Sequence, residues 1–252
     1  KMVDFPNSKD CFSGVSIGGG VNYFLWERDY EGDCEFTLNT SHGVTTKHRD
    51  LSEFDFFIRD NIGLDIVKKV KEKNEKPLSH IVSPMNTFDL KTSFRGNEKE
   101  QKNSLKVFHS KGIGYLPKKD LKSGHQFVNK YKVMLSRATS EHAGEPSKDG
   151  KYKLFSTLKV IEPDEITTFS YLIIGSFDKK QEAQNLKAYL ETKFARFLVL
   201  QAVSSIDITK EKFKNLPIQD FSNQLTDDEL YKKYNISKEE ISHIEKLIKE
   251  FA

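Results

Sequence analysis

The sequence predicts an α+β fold that combines mixed small sheets, one long helix and a helical cover at the C-terminus. Three observations support this class. Short segments with alternating or β-branched apolar residues, typical of strands, occupy much of the first 180 positions. A long helical pattern follows them. Two capping boxes, starting at Thr226 and Ser237, then indicate two further helices.

Three consecutive glycines lie near the N-terminus, within DCFSGVSIGGGVNYFLWERDY (10–30). A dinucleotide site needs a strand before the glycines and a helix after them. Here an aromatic and β-branched run follows the glycines, which favours a strand, and the chain contains no P-loop motif. Because glycine adopts positive φ at little cost, we expect a glycine turn joining strands at Val15–Ile17 and Val21–Trp26. We regard this segment as the first β-hairpin.

The next segments predict a strand, a helix and a further strand. CEFTL (34–38) alternates as a returning strand, and HIVSP (80–84) predicts a brief strand that ends at its proline. Asn61 is the expected N-cap of the helix. Its apolar face is formed by Ile62, Ile66, Val67 and Val70.

The middle of the chain predicts short strands separated by polar loops. SLKVF (104–108), GIGYLP (112–117) and YKVMLSRA (131–138) are strand-like, and KKDLKSGHQ (118–126) predicts a short helix or turn. The polar segment before Ser104 is expected to be an exposed loop. Residues 139–151 have few apolar side chains and predict a linker or flexible loop.

The C-terminal third predicts two strands and then helices. KLFSTLKVI (153–161) and TTFSYLIIGSF (167–177) are the strands, and Asp178 is the expected cap of a long helix over about 179–203. One side of that helix carries Ala183, Leu186, Leu190, Phe194, Phe197, Leu198 and Gln201, which we expect in the core. The final amphipathic helix turns Ile241, Ile244, Leu247, Ile248 and Phe251 toward the body.

The composition predicts a globular protein with a highly charged surface. Of the 252 residues, 37% are hydrophobic and 31% charged, and phenylalanine and tyrosine are plentiful. The two cysteines lack a disulfide or zinc pattern, so no metal site is expected. No apolar run is long enough to span a bilayer and no signal segment precedes the first strand. We therefore expect a cytoplasmic protein without a membrane partner.

Charge is distributed unevenly along the chain. Residues 1–60 hold six Lys/Arg and eleven Asp/Glu, a net charge of −5. Residues 91–137 hold twelve Lys/Arg and three Asp/Glu, a net charge of +9. Such a basic block is typical of a surface that binds a polyanion, although lysine-rich loops are often only solvated faces.

Motifs for catalysis are absent from the sequence. H-E-x-x-H, G-x-S-x-G and the zinc deaminase pattern do not occur. Pro163-Asp164-Glu165 opens like a nuclease motif, but the following ITTFSYL lacks the required carboxylate and lysine. The proline-pair loop of adenine methyltransferases is missing, since no two prolines are adjacent. We expect no catalytic residue in this chain.

Several segments together resemble one family. FPNSKDCFSGVSIGGGVNYFLWERDY, YKVMLSRAT, SYLIIGSFDKKQEAQNLKAYLETKFARFLVL and FKNLPIQDFSNQLTDDELYKKYNISKEEISHIEKLIK occur in the order found in N6-adenine DNA methyltransferases of type II restriction–modification systems. The likeness is greatest to enzymes that fuse restriction and methylase activities. It implies the C-terminal part of such an enzyme, and a start at Lys1-Met2 suits an excised fragment.

This resemblance implies three regions and a set of partners. Residues 1–45 would be the last hairpin of the catalytic sheet, residues 46–220 a DNA-binding target recognition domain, and residues 221–252 a C-terminal helical segment. Double-stranded DNA and an upstream methyltransferase catalytic domain are the implied partners. S-adenosylmethionine would bind the parent enzyme, and this fragment would hold no cofactor.

DNA recognition requires cations for phosphates and side chains of fixed geometry for base edges. The expected phosphate-binding residues are Lys118, Lys119, Lys122, Lys130 and Lys132. The candidates for contact with bases are Arg95, Gln126, Asn129 and Arg137. Two other functions remain open: a module that docks a methylase or nuclease subunit, and a hydrolase with dispersed carboxylates.

Overall fold

A computed structural model describes residues 1–15, 17–41, 43–141, 146–147 and 149–251. Helices and several small sheets are mixed along the chain, which confirms the α+β class. The strands are β1 Met2–Phe5, β2 Val21–Phe24, β3 Cys34–Thr40, β4 Gly43–Arg49, β5 Ser104–His109, β6 Gly112–Pro117, β7 Tyr131–Ser136, β8 Leu158–Ile161, β9 Glu165–Thr167 and β10 Tyr171–Phe177. The α-helices are α1 Asn61–Lys71, α2 His125–Val128, α3 Lys180–Glu191, α4 Lys193–Leu200, α5 Asp227–Lys233 and α6 Lys238–Leu247.

The N-terminal sheet has the order β2-β1-β3-β4. The expected hairpin between Val15–Ile17 and β2 is wrong, because β2 pairs antiparallel with β1. Val15 and Ile17 lie outside the strands, and Ser16 is outside the described residues. The glycine interpretation itself is confirmed, because Gly19 and Gly20 have φ of 89° and 80°. A Cβ on Gly20 would collide with the carbonyl oxygens at the end of β1, so the loop returns close beneath that strand.

The central sheet has the order β10-β7-β8 and is covered on both faces. Side chains alternate along β7. Val133 and Leu135 join the core shared with the helices, whereas Met134 joins a second core shared with the sheet β6-β5-β9. The molecule therefore stacks a helical layer, a central sheet and an outer sheet.

One irregular segment, residues 82–97, closes a side of the two stacked sheets; we call it the closing segment. At its start, Val82 bridges to β10 of the central sheet, and at its end Asn97 bridges to β6 of the outer sheet. Phe88 and Leu90 fill the gap between the sheets from this side. The strand expected at HIVSP is wrong except for that single bridge, because Leu78–Ile81 forms a 3-10 helix.

The expected long helix after β10 is two helices, α3 and α4. Thr192 adopts ψ 149°, which interrupts the helix, and its side chain accepts a hydrogen bond from the amide of Ala195. The carboxylate of Asp227 accepts from the amides of Lys193 and Phe194. All seven side chains expected in the core from this region are buried. The cap of α3 is Lys179 and not Asp178.

The remaining helix starts follow the sequence closely. Both capping boxes are present, at α5 and at α6. The cap of α1 is Asp60, one residue before the expected position, and its carboxylate accepts from the amide of Ile62. The apolar face of α1 packs inward as expected, with Ile66, Val67 and Val70 buried.

Packing is continuous across both expected region boundaries, at positions 45 and 220. Position 45 falls inside β4, whose buried Arg49 lies over the rings of Phe36 and Phe57 and donates to Asn61 of α1. Leu216 and Leu230, on either side of position 220, belong to the same core. Of the expected loop 139–151, residues 142–145 and 148 lie outside the described residues.

Replacing Asp227 with alanine tests the cap that starts α4. We expect the free energy of unfolding to fall by about 1–2 kcal/mol, because two amides at the helix start lose their acceptor. Chemical denaturation measures this change. The control is Asp228→Ala in the same turn, which leaves those amides capped. An equal loss in both variants would contradict the cap assignment.

Candidate nucleic-acid interface

Five cations lie on or beside the closing segment and the edge strand β6. We call this set the basic edge: Lys91, Arg95, Lys111, Lys119 and Lys122. Within the part of the chain that the structure describes, none of them has an acidic group within ion-pair distance, while the four lysines are exposed. Unpaired cations attract a polyanion more strongly than cations already neutralised by a protein carboxylate.

The close approach of the closing segment to β6 positions Arg95. A Cβ on Gly114 of β6 would collide with the carbonyl oxygen of Arg95, so this crossing depends on glycine. The Arg95 guanidinium donates to the carbonyl oxygens of Thr92 and Phe94, each at 2.7 Å. Burial, followed by the nearby Arg95 charge, lowers the pKa of His109.

Lys91 and Lys122 both line one cleft, which has a volume of about 310 Å³ and which we call the Lys122 cleft. Its walls also include Phe94, Leu116 and Asp120. Ser123 donates to the carbonyl oxygen of Thr87 at 2.8 Å, which fixes the Lys122 loop against the closing segment. Two of the basic-edge lysines are therefore held on one surface.

A second cleft, of about 510 Å³, has Thr92 of the closing segment in its wall, and we call it the Arg137 cleft. The guanidinium of Arg137 lies 4.0 Å from the ring centroid of Phe169 and donates to the Phe169 carbonyl oxygen. Its Nη2 is 3.9 Å from Oδ2 of Asp207. Hydroxyl residues form much of the wall: Thr92, Ser110, Ser136, Thr157 and Ser170.

Several polar atoms near this cleft lack partners. Nε of Arg137, Oγ1 of Thr168 and Oγ of Ser170 are buried without a hydrogen bond to any described residue. A buried polar group that makes no hydrogen bond costs about 1–3 kcal/mol. Such groups concentrate where a protein binds a ligand or solvent.

Lys118 and Lys130 are engaged with acids, unlike the basic edge. Lys118 pairs with Asp164 at 2.7 Å, and Lys130 pairs with Asp178. Both lie at the end of the sheets where β7 begins. Arg137 follows the other end of β7, roughly 24 Å from Lys130 at about 3.4 Å per residue. The phosphate-binding and base-contacting candidates are therefore not all on one surface.

Lys132 does not fit the expected phosphate contact. Its side chain is 0% exposed, and Nζ donates to the carbonyl oxygens of Lys130 at 2.7 Å and Glu162 at 3.1 Å. Lys132 shares a face of β7 with Met134, as expected, but the outer sheet covers that face. Burial lowers the pKa of Lys132 to about 8, against the opposing effect of Glu165 and Asp164. A phosphate cannot reach this ammonium group.

Gln126 and Asn129 are exposed on and after α2. They belong to the same end of the molecule as Lys119 and Lys122, whereas Arg95 lies nearer to the Arg137 cleft. The expected base contacts therefore divide between two places. Sequence reasoning missed Phe169 and Asp207, which flank Arg137, because no local spacing links residues 32 and 70 positions away.

An apolar surface is exposed on the N-terminal sheet. Tyr23, Phe24, Leu25 and Trp26 are 59–70% exposed at the edge strand β2 and just after it. The acids that follow, Glu27, Asp29, Glu31 and Asp33, form no ion pair with any described residue. Contiguous exposed apolar side chains are characteristic of interaction surfaces.

Comparison with protein-family models gives no match, and comparison with curated proteins gives no significant match. Within the described ranges, no helix has both the length and the apolar character required to cross a membrane. In the same residues, no three His, Cys, Asp or Glu side chains are grouped as a metal site.

The buried Lys132 predicts a distinctive pH dependence of stability. Its folded pKa of about 8 lies below the ordinary value of 10.5, so the unfolded chain holds more protons between these values. The free energy of unfolding should therefore rise through this window, by up to roughly 3 kcal/mol from this group. Relative to Lys132→Met, the wild type should gain stability between about pH 8 and pH 10.5 in denaturant titrations.

The control for this comparison is Lys119→Met. Lys119 is exposed and has no described ion pair, so this variant should follow the wild type across the same pH range. A constant difference between wild type and Lys132→Met at every pH would show that Lys132 is not the buried titrating group.

Proposed function

We propose that this chain is a sequence-reading DNA-binding module of an N6-adenine DNA methyltransferase of a restriction–modification system. The partner is double-stranded DNA. In this proposal methyl transfer belongs to an upstream catalytic domain, since the proline-pair loop does not occur in this sequence. The function proposed for this chain is recognition.

The observation that carries the proposal is the basic edge. Four lysines of the basic block, Lys106, Lys118, Lys130 and Lys132, are paired with acids or buried, whereas the cations of the basic edge have no acidic partner in the described structure. Lys91, Lys119 and Lys122 are exposed, so they suit phosphate contacts. They revise the expected phosphate set by adding Lys91 and removing Lys132.

The proposed DNA contacts extend from this edge to both clefts. Gln126 and Asn129 are near the Lys122 side and carry the amide groups that pair with adenine edges. Arg95 is close to the centre of the edge and retains guanidinium donors beyond those used by Nη1. Lys118 and Lys130 could contact phosphates only by exchanging their carboxylate partners.

The N-terminal surface supports a second role, docking of the upstream catalytic domain. Tyr23 and Phe24 on the edge strand β2 and Trp26 just after it are exposed, and the acids that follow them favour a partner with basic side chains. This role is compatible with DNA recognition, because the aromatic surface and the basic edge involve different sheets. As the sole function, docking predicts no dependence on DNA.

Neutralising the basic edge should weaken duplex binding and reduce its salt dependence. For Lys91→Gln, Lys119→Gln and Lys122→Gln combined, we expect the slope of log K against log salt to fall by about 0.9 for each phosphate that the variant no longer neutralises. Fluorescence anisotropy with a duplex of about 25 base pairs, over a range of salt concentrations, measures the slope.

The matched control combines Lys73→Gln, Lys232→Gln and Lys238→Gln on the helical layer. These lysines are also exposed and without described ion pairs, so the change in net charge is identical. An equal reduction of the slope in both triple variants would refute a localised DNA-binding edge. Absent or salt-independent binding by the wild type would favour the docking function alone.

A further inference from the structure

The Arg137 cleft differs from the basic edge because an acid stands beside its cation. Nη2 of Arg137 and Oδ2 of Asp207 are 3.9 Å apart, at the outer limit of an ion pair. The side chain of Asp207 is 58% exposed, so its oxygens remain accessible. Together the two groups present hydrogen-bond donors beside acceptors without net charge. A phosphate would be repelled by Asp207, whereas a neutral group with acceptors next to donors is matched.

The walls of the cleft suit a flat ligand. Cζ of Arg137 lies over the ring of Phe169, 4.0 Å from its centroid, and Tyr171 also lines the cleft. Unpaired nucleobases stack on guanidinium planes and aromatic rings. The volume of about 510 Å³ is within the range of small-molecule sites, about 300–1,000 Å³.

The depth of Arg137 excludes a base that remains stacked in a duplex. Only 13% of this side chain is exposed, so the edge of a paired base in a groove cannot approach it. A base that leaves the stack can enter such a recess and be recognised by its Watson–Crick edge. Ser170, whose buried Oγ has no described partner, lines the same recess.

We propose that the Arg137 cleft binds an unstacked guanine of a DNA strand. Guanine places the acceptor O6 beside the donors N1–H and N2–H. Arg137 donates to O6, and the two carboxylate oxygens of Asp207 accept from N1–H and N2–H. Adenine and thymine each offer this pair of side chains one hydrogen bond fewer, and cytosine offers Asp207 one donor in place of two. The cleft therefore favours guanine.

The Arg137 cleft is next to the basic edge along the closing segment. Thr92 lines the Arg137 cleft, and its neighbour Lys91 lines the cleft that also contains Lys122. The inference rests on the proposed function only in that DNA supplies the guanine.

Binding of single-stranded oligonucleotides tests the inference directly. The full chain is titrated with labelled 12-mers of thymidine that carry one central guanine, adenine or cytosine, or no substitution. We expect the guanine oligonucleotide to bind at least tenfold more tightly than the others. In Asp207→Asn this preference should fall at least fivefold, while binding of the oligonucleotide without guanine should not weaken.

Asp120→Asn is the matched control, because it removes the same charge from the wall of the Lys122 cleft. It should leave the guanine preference unchanged. Equal binding of all four oligonucleotides, or a preference retained in Asp207→Asn, overturns the proposal. Guanosine monophosphate that competes as strongly as the guanine oligonucleotide overturns the assignment to a DNA strand and indicates a free nucleotide.

A duplex titration separates this inference from the proposed function. If the chain prefers guanine but shows no salt-dependent duplex binding, the DNA-recognition function is refuted and the cleft assignment stands. If duplex binding depends on the basic edge but the chain shows no guanine preference, the cleft assignment is refuted and the DNA-recognition function stands. A duplex with guanine opposite an abasic site should bind more tightly than the fully paired duplex, since that guanine leaves the stack more easily.

Discussion

Burial of both faces of the central sheet is the constraint on which the rest of the structure depends. Val133 and Leu135 require the helical layer, and Met134 requires the outer sheet. Two stacked sheets leave an open side, which residues 82–97 close by bridging to β10 and β6. Because this closing segment must cross the sheet edge, it carries Lys91 and Arg95 to the surface. The proposed DNA-binding edge is thus a consequence of how the second core is sealed.

Local electrostatics divides the basic block into groups with different roles. Three lysines of the block form ion pairs within the protein: Lys106 with Glu165, Lys118 with Asp164 and Lys130 with Asp178. Each of these pairs must break before its lysine can bind a ligand. Exposed ion pairs contribute little stability, about 0–1 kcal/mol each, but they lower the local positive potential. The basic edge retains its charge because no acid among the described residues lies within ion-pair distance of it, and Asp89 and Asp120, which line the same cleft as Lys91 and Lys122, form no ion pair with it. Net charge along the sequence therefore overstates the extent of the binding surface.

Sequence patterns correctly predicted the elements that depend on residues close together in the chain. The strands at β5, β6 and β7 and both capping boxes follow from alternation and from side chains three residues apart. The break at Thr192 could not be foreseen, since the cap that Thr192 provides is completed by Asp227, 35 positions later, while the apolar spacing continues unbroken through Phe194. Alternation correctly grouped Lys132 with Met134, but only the tertiary packing shows that both faces of β7 are covered. The Arg137 cleft depends on Phe169 and Asp207, which only the fold brings together.

The most direct measurement of the central claim is hydrogen–deuterium exchange of the chain with and without duplex DNA. Amides of residues 84–97 and 118–126 should exchange more slowly in the complex, because DNA would cover the closing segment and the loop after β6. The helical layer, including α5 and α6, should exchange at an unchanged rate. Protection confined to the β2 edge or to the helical layer, with none at the closing segment, would contradict the account.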